Sequence, residues 1–448
     1  MSALKRAFVR TFRIATLALI CGWVGAWIVG AHPGHHHGDK EDEPEIVELV
    51  NGHWFNGEDF VAKTFYIVSG TLTESKPPLI DRRVDLEGGW IVPPYGEAHN
   101  HNIVQLSHLE QKIREYLAAG VFYVKIANSV REYTSKIRDR LNQPDSLDVV
   151  FANGGITASN GHPVRLYEDR LRHHMYRGVE RFWFNDRAYF IIENEADLET
   201  KWPKIQATPP DFIKTFLLYS EEFATRRDDP TYSGRKGLDP KLLPKIVAKA
   251  HAEGLRVSTH VETATDFRHA LDAGTDEIAH LPGYKIPEQY DVSTFQISPA
   301  DAKRAAERGT VVVTTTILAK LKTKDPERLA LTQRNQVRNL RLLDTAGVPI
   351  AIGSDRFDLT SVDEALYLKE IDALDNLALL RHWCESTAQS IFPERPIGRL
   401  ADGFEASFLV LGGNPIEDFQ HVLDIRRGFK QGVELDYWHT ASDPAAAD

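Results

Sequence analysis

The stretch Gly88-Gly89-Trp90-Ile91-Val92-Pro93-Pro94-Tyr95-Gly96-Glu97-Ala98-His99-Asn100-His101 holds the reading on which the fold turns. Its apolar start reads as a short strand, and His99 and His101 stand two apart where that strand ends. Residues two apart on a strand face the same side, so both imidazoles can reach one metal ion. Alone, a His-X-His pair decides little. What surrounds it decides more: apolar runs that read as buried parallel strands recur at 121–126, 148–154, 212–217, 255–260, 276–280, 310–315 and 348–354, with amphipathic helical stretches between most of them. With the strand before Glu97 the count is eight, which predicts a (β/α)₈ barrel of the TIM type over residues 91–396.

His260 closes the fifth run, His280 the sixth and Asp355 the eighth. Barrel enzymes build their sites at that end of the strands. Singly, each has a plainer role as a core histidine or a helix-capping aspartate. Together they make a metal-ligand set. Lys214, in the otherwise apolar Phe212–Leu217, would point to the same mouth. A bare ammonium beside metal cations is repelled, and burying one unpaired is costly. Reaction with CO₂ would make a carbamate whose two oxygens can bridge two metals. Four neutral imidazoles, that carbamate, Asp355 and a bridging hydroxide would offset all but one charge of two divalent ions. The alternative is a lysine that reaches out to a surface carboxylate.

These segments resemble the amidohydrolase superfamily, in particular its imidazolonepropionase-like and prolidase-like branch. GGWIVPPYGEAHNH (88–101) is similar to the family's first barrel strand and DFIKTF (211–216) to its fourth-strand lysine motif. STHVETATDFRHALDAGTDEIAH (258–280) resembles its fifth- and sixth-strand histidine segment, AIGSDRF (351–357) its eighth-strand aspartate, and IGRLADGFEASFLVLGGNPIED (397–418) its return into a β domain. The resemblance spans about Ile46 to Leu435. It implies that His99 and His101 hold the more buried of two divalent ions, His260 and His280 the other, and that Lys214 bridges them as the carbamate. Asp355 would bind the buried ion and shuttle the proton, while a metal-bridging hydroxide attacks the carbonyl. Zinc suits such ligands; iron or manganese can occupy the same set. The chain departs from the pattern at Glu97, where aspartate is usual, at Pro93-Pro94-Tyr95, at Val261-Glu262, where a second histidine is common, and at Ser407, which replaces a frequent aspartate.

Outward from the barrel, residues 46–90 and 397–437 are short extended pieces that predict one small discontinuous β domain built from both chain ends, with Asn51-Gly52 and Asn56-Gly57 as turns. An insertion at about 155–210, carrying Arg172, His173, His174, Tyr176, Trp183 and Phe184, reads as a lid or substrate loop. His162 in GGITASNGHP (154–163), Tyr219 and Lys125 are further substrate-binding candidates, each with a bland counterpart: an exposed turn, core packing and a structural salt bridge. Lys5, Arg6, Arg10 and Arg13 precede the uncharged run 14–31, which reads as a cleaved secretory signal or a retained membrane anchor. Either predicts an exported protein, periplasmic or secreted. Residues 32–45, with His35-His36-His37, read as a polar linker. Without Cys21, Cys384 would have no partner for a disulfide.

The net charge of −11 and the lack of a basic stripe argue against nucleic acid as partner. The expectation is an exported hydrolase that cleaves an amide-like C–N bond of a small molecule: a dipeptide, an N-acyl amino acid or a cyclic amide. A mononuclear deaminase and a non-catalytic metal-binding protein are the rivals, and oligomeric state is left open.

Overall fold

Strand β1 (Val47–Phe55) runs straight through Asn51-Gly52, which is therefore not a turn. The pair forms a bulge, where the register with β2 (Phe60–Val68) shifts between Leu49 and Gly52. Asn51 takes the left-handed conformation that such an extra residue needs. Only Asn56-Gly57 turns the chain, with Asn56 N donating to Asp59 O at 3.0 Å. The computed structural model describes residues 45–173, 176 and 178–438. The segment 1–31, the run His35-His36-His37 and His174 lie outside the described residues. Among the described residues no helix is long and apolar enough to cross a membrane.

β2 continues antiparallel to β3 (Thr71–Thr73), while β1 also pairs in parallel with β4 (Arg82–Asp85) and β5 (Trp90–Val92). The chain then enters two parallel sheets. The first is β6 (Tyr95–Asn100), β7 (Val121–Ile126) and β8 (Asp148–Phe151). The second holds β9 (Gly155–Thr157), β10 (Tyr189–Ile191), β11 (Ile213–Phe216), β12 (Val257–His260), β13 (Glu277–Ala279), β14 (Val311–Val313) and β15 (Ile350–Ala351), in the order β10-β9-β11-β12-β13-β14-β15. Backbone hydrogen bonds tie the sheets along both seams: Asp211 N to Phe151 O at 2.8 Å, and Ala98 N to Ile352 O at 2.9 Å with Asp355 N to His99 O at 2.8 Å. Seven of the runs read from the sequence follow one another in the order of a (β/α)₈ barrel, as β7, β8 and β11 to β15; the first strand of that series is β6, whereas the Ile91-Val92 run read as its start lies in β5 and pairs in the other sheet. Finally β16 (Phe408–Leu411), β17 (Ile425–Lys430) and β18 (Val433–Leu435) return to the first sheet, where β16 pairs antiparallel with β5 through Val410 and Ile91. Strands from both ends of the described chain share that sheet.

Two details fix β6, the strand that carries the His-X-His pair. Tyr95 stacks on Trp383 at 3.8 Å between ring centroids, and the Trp383 indole donates to Gly96 O and Ser361 Oγ. Truncating such a buried tryptophan typically costs about 3–5 kcal/mol. On the other side, a Cβ at Gly353 would stand 2.8 Å from His99 N, so only glycine lets the end of β15 approach.

The long segment after β8 is more than a loop. It contributes β9 and β10, helix Val164–Arg172, and helix Glu195–Gln206, which Asn194 caps by accepting from Asp197 N. Phe184, Tyr167 and Tyr189 form a separate apolar cluster against which Trp183 and Tyr176 pack.

Candidate metal centre

The strand ends bring His99, His101, Lys214, His260, His280 and Asp355 to the lining of one cavity of about 170 Å³. The imidazoles make a continuous array: ring centroids lie 5.3 Å apart for His99 and His101, 4.5 Å for His99 and His280, and 4.4 Å for His260 and His280. Asp355 Oδ1 lies 3.0 Å from His101 Nε2 and 3.5 Å from His99 Nε2. One donor atom each from His99, His280 and Asp355 fall within 4.8 Å of one another. Local backbone supports this convergence, since His280 and Asp355 both adopt positive φ at the point where strand gives way to loop.

The hydrogen bonds around the cluster leave its donor atoms facing inward. His101 Nδ1 is 3.1 Å from Asn128 O, which can only accept, so Nδ1 carries the hydrogen. Its Nε2 then meets Asp355 Oδ1 lone pair to lone pair, a contact that is favourable only with a proton or a cation shared between them. His280 Nδ1 is held by Thr315 Oγ1 at 2.8 Å. His99 Nδ1 and Lys214 Nζ are buried with no hydrogen-bond partner among the described residues. Unpartnered nitrogens of this kind are costly in a folded core; a divalent cation takes up the lone pair of a neutral imidazole, and Lys214 can meet one only as the neutral amine or its carbamate. The residues present therefore fit a metal.

Electrostatics point the same way. Burial first, and then neighbouring charges, hold His99, His162 and His280 well below the usual imidazole range, so each offers a neutral lone pair. Burial pushes Lys214 down to about 7, against the opposing pull of Glu277 and Asp355. Burial alone would raise Asp355, but the hydrogen bond from His101 and the surrounding imidazoles hold it well below the usual carboxylate range. Glu97 sits behind the cluster, pushed up to about 8 by burial although Ser354, His99 and Asn100 all donate to it. It cross-links the β6 and β15 ends rather than lining the cavity.

The second-tier candidates divide. His162 lines the cavity, its ring 5.2 Å from that of His260. Lys125 does not. Its Nζ pairs with Glu277 Oε2 at 2.5 Å and with Ser390 O at 3.0 Å, beside a different cavity toward the N-terminal ends of the strands. Tyr219 does not either: it lies under the Arg226 guanidinium at 3.8 Å and stacks on Tyr290 at 5.0 Å. Both corrections have one cause, a partner far away in sequence that claims the side chain. Other residues at the site went unread. Asn128 fixes the His101 tautomer, while Tyr284, Arg170 and Phe357 line the cavity. Glu262, at the departure after His260, lies 3.2 Å from His260 Nε2 and accepts from the Tyr284 hydroxyl at 2.8 Å.

No protein-family model matches the chain. Among curated proteins it is 23% identical over 309 residues to the imidazolonepropionase of Pseudomonas syringae pv. tomato, covering 64% of this chain and 69% of that one. Among solved structures, A. niger ochratoxinase superposes with a TM-score of 0.68 at 16% identity, over 90% of this chain and 99% of that one. A solved structure described as an amidohydrolase superposes with a TM-score of 0.65 at 17% identity, over 87% of this chain and 98% of that one. A further member of its structural neighbourhood is a prolidase solved in complex with N-methylphosphonate-L-proline, with a TM-score of 0.65 at 18% identity over 87% of this chain and 99% of that one. For this chain such likenesses fix the fold; the chemistry rests on the residues above.

Proposed function

We propose that this chain is an amidohydrolase that cleaves an amide-like C–N bond of a small molecule by adding water across it, releasing a carboxylic acid and an amine. One observation carries the reading: four histidines, a buried lysine and an aspartate from five different strand ends share one small cavity. His99, His101 and Asp355 would hold one divalent ion, zinc being the best match, and His260 and His280 a second. Ions bound there would supply an activated water and a Lewis acid for the carbonyl. Lys214, neutral in part at physiological pH because of its burial, would add CO₂ and lose a proton to give the carbamate shared by both ions. Asp355 would take up the proton of the attacking water and return it to the leaving nitrogen. His162, neutral and beside His260, is placed to donate to the substrate carbonyl. The charged start and apolar run of residues 5–31 support action outside the cytoplasm.

A single-metal site, as in deaminases, is favoured by the tightness of the His99, His280 and Asp355 group. Elemental analysis of the purified protein beside Lys214→Ala separates the two readings. The hydrolase reading expects about two divalent ions per chain, falling to one or none in the variant. One ion in both proteins would move the assignment to the mononuclear reading, and none in either would sink both.

A further inference from the structure

His260 ends β12, and the chain turns at once into helix Ala264–Ala273. Thr263 caps that helix: its Oγ1 accepts from Asp266 N at 3.1 Å, and Asp266 Oδ2 accepts from Thr263 N at 3.1 Å. Glu262 stands in the turn with both backbone groups pinned. Its N donates to Asp266 Oδ2 at 3.0 Å, and its O accepts from Gly283 N at 3.2 Å. Residues two apart on extended chain face the same side, so this turn delivers the Glu262 carboxylate to the His260 ring. Tyr284, next to Gly283, completes the group. Its hydroxyl donates to Glu262 Oε1 at 2.8 Å, the same oxygen that lies 3.2 Å from His260 Nε2, and its ring lies 5.0 Å from that of His280.

A carboxylate can only accept, so the hydrogen between the two side chains belongs to His260 Nε2. The lone pair is then on Nδ1, on a ring that lines the metal cavity. His280 is held through its other nitrogen, Nδ1, by Thr315 Oγ1 at 2.8 Å. The two neighbouring imidazoles are thus fixed through opposite nitrogens. Glu262 itself does not line the cavity, whereas Tyr284 does, so the carboxylate acts through His260. It also brings a charge. Four neutral imidazoles, a carbamate, Asp355 and a bridging hydroxide leave two divalent ions with one charge uncompensated. The Glu262 carboxylate, in contact with His260, supplies that charge, which a histidine at the same position would not.

We infer that Glu262 is the positioning residue of His260: locked by the Tyr284 hydroxyl, it fixes the tautomer of that ring and strengthens the ion held by His260 and His280. The inference rests on the two-ion reading for the ion it strengthens, but not for the tautomer. Glu262 takes no part in proton transfer to or from a substrate.

The test uses the full chain, stripped of metal and titrated with zinc or cobalt(II) against a competing chelator. Glu262→Gln keeps the shape and an acceptor but removes the charge. It should weaken the second ion by about 10- to 100-fold, the usual effect of losing a carboxylate behind a metal-bound histidine, and leave the first within about twofold. Glu262→Asp should recover part of the loss, and Tyr284→Phe should weaken the same ion by a smaller factor. The cobalt absorption bands of the second ion should shift in Glu262→Gln. Nitrogen NMR of the metal-free wild type, with the His260 signal assigned by its absence in His260→Gln, should place the hydrogen on Nε2. That measurement decides the tautomer even where a variant fails to fold. A hydrogen on Nδ1, unchanged affinity for every bound ion in Glu262→Gln, or equal weakening of both ions would each overturn the inference. Uptake of one ion only by the wild type, with the hydrogen on Nε2 and that ion weakened in Glu262→Gln, would keep the positioning role and reject the two-ion reading instead.

Discussion

Two lysines lie buried on the parallel strands, and they have opposite fates. Lys125 on β7 is met by Glu277 and by the Ser390 carbonyl, so its charge is compensated and its three donors are largely used. Lys214 on β11 has no hydrogen-bond partner among the described residues and lines the cavity that holds five histidines and Asp355. Burial lowers the pKa of both. Residue type and burial are therefore the same, and the partner alone separates a structural ion pair from a group kept for chemistry. A buried amine without a partner is a cost in the bare fold, which a metal-bridging role would repay.

The sharpest way to break this contrast is to truncate each lysine. Lys214→Ala should lower activity by more than about 1,000-fold, as expected when metal-supplied water activation is lost, while leaving the melting temperature of metal-stripped protein unchanged or higher. Steady-state kinetics and calorimetry read the two effects. Lys125→Ala should do the reverse. It leaves Glu277 buried and unpaired, at a cost of about 3–5 kcal/mol in denaturant unfolding, with the metal count unchanged. Replacing the pair together, Lys125→Met with Glu277→Leu, should restore most of that loss. If the single Lys125 variant instead lost metal and kept its stability, the division of roles between the two lysines would fail.

A pH profile sharpens the comparison further. With its folded value pushed down to about 7 and an unfolded value of about 10.4, Lys214 contributes stability that is complete only above the unfolded value. Between the two values the unfolded chain binds more protons, so stability rises with pH; the contribution fades as pH falls toward about 7. Metal-stripped protein should therefore gain stability from neutral to alkaline pH, and Lys214→Met should flatten part of that gain. The smallest effect concerns Tyr219. Because it stacks on Tyr290 and Arg226 and does not line the metal cavity, Tyr219→Phe should change stability by less than about 0.5 kcal/mol and leave kcat/KM within twofold. A large loss of activity would return Tyr219 to the site.

Both the legible and the illegible parts of the site have physical reasons. His99, His101, Lys214, His260, His280 and Asp355 could be read because each ends or interrupts a strongly apolar strand, and strand ends are countable from hydrophobic pattern alone. Glu262 was visible as a departure after His260, but its contacts with His260 and Tyr284 were not. Asn128, Tyr284 and Phe357 carried no signal, since loop residues follow no period and reach the cavity only through the paths their loops take, and Arg170 lies on a helix inside a segment whose placement the sequence pattern did not give. Asn51-Gly52 failed for a related reason. A left-handed Asn serves a bulge as well as a turn, and only pairing with β2 decides which.

By itself, then, the sequence determined the alternation of strand and helix, the eight-strand count, the return of the chain end to a β sheet, and the donor set at the strand ends. These follow from periodic burial and from polar residues placed where burial stops. Only the tertiary structure decided which side chains already had partners: Glu277 for Lys125, Arg226 and Tyr290 for Tyr219, and, among the described residues, none for Lys214 Nζ. Pairing between strands joins residues more than a hundred positions apart in the case of Lys125 and Glu277, and no local pattern in a chain encodes whether a buried charge will find its opposite.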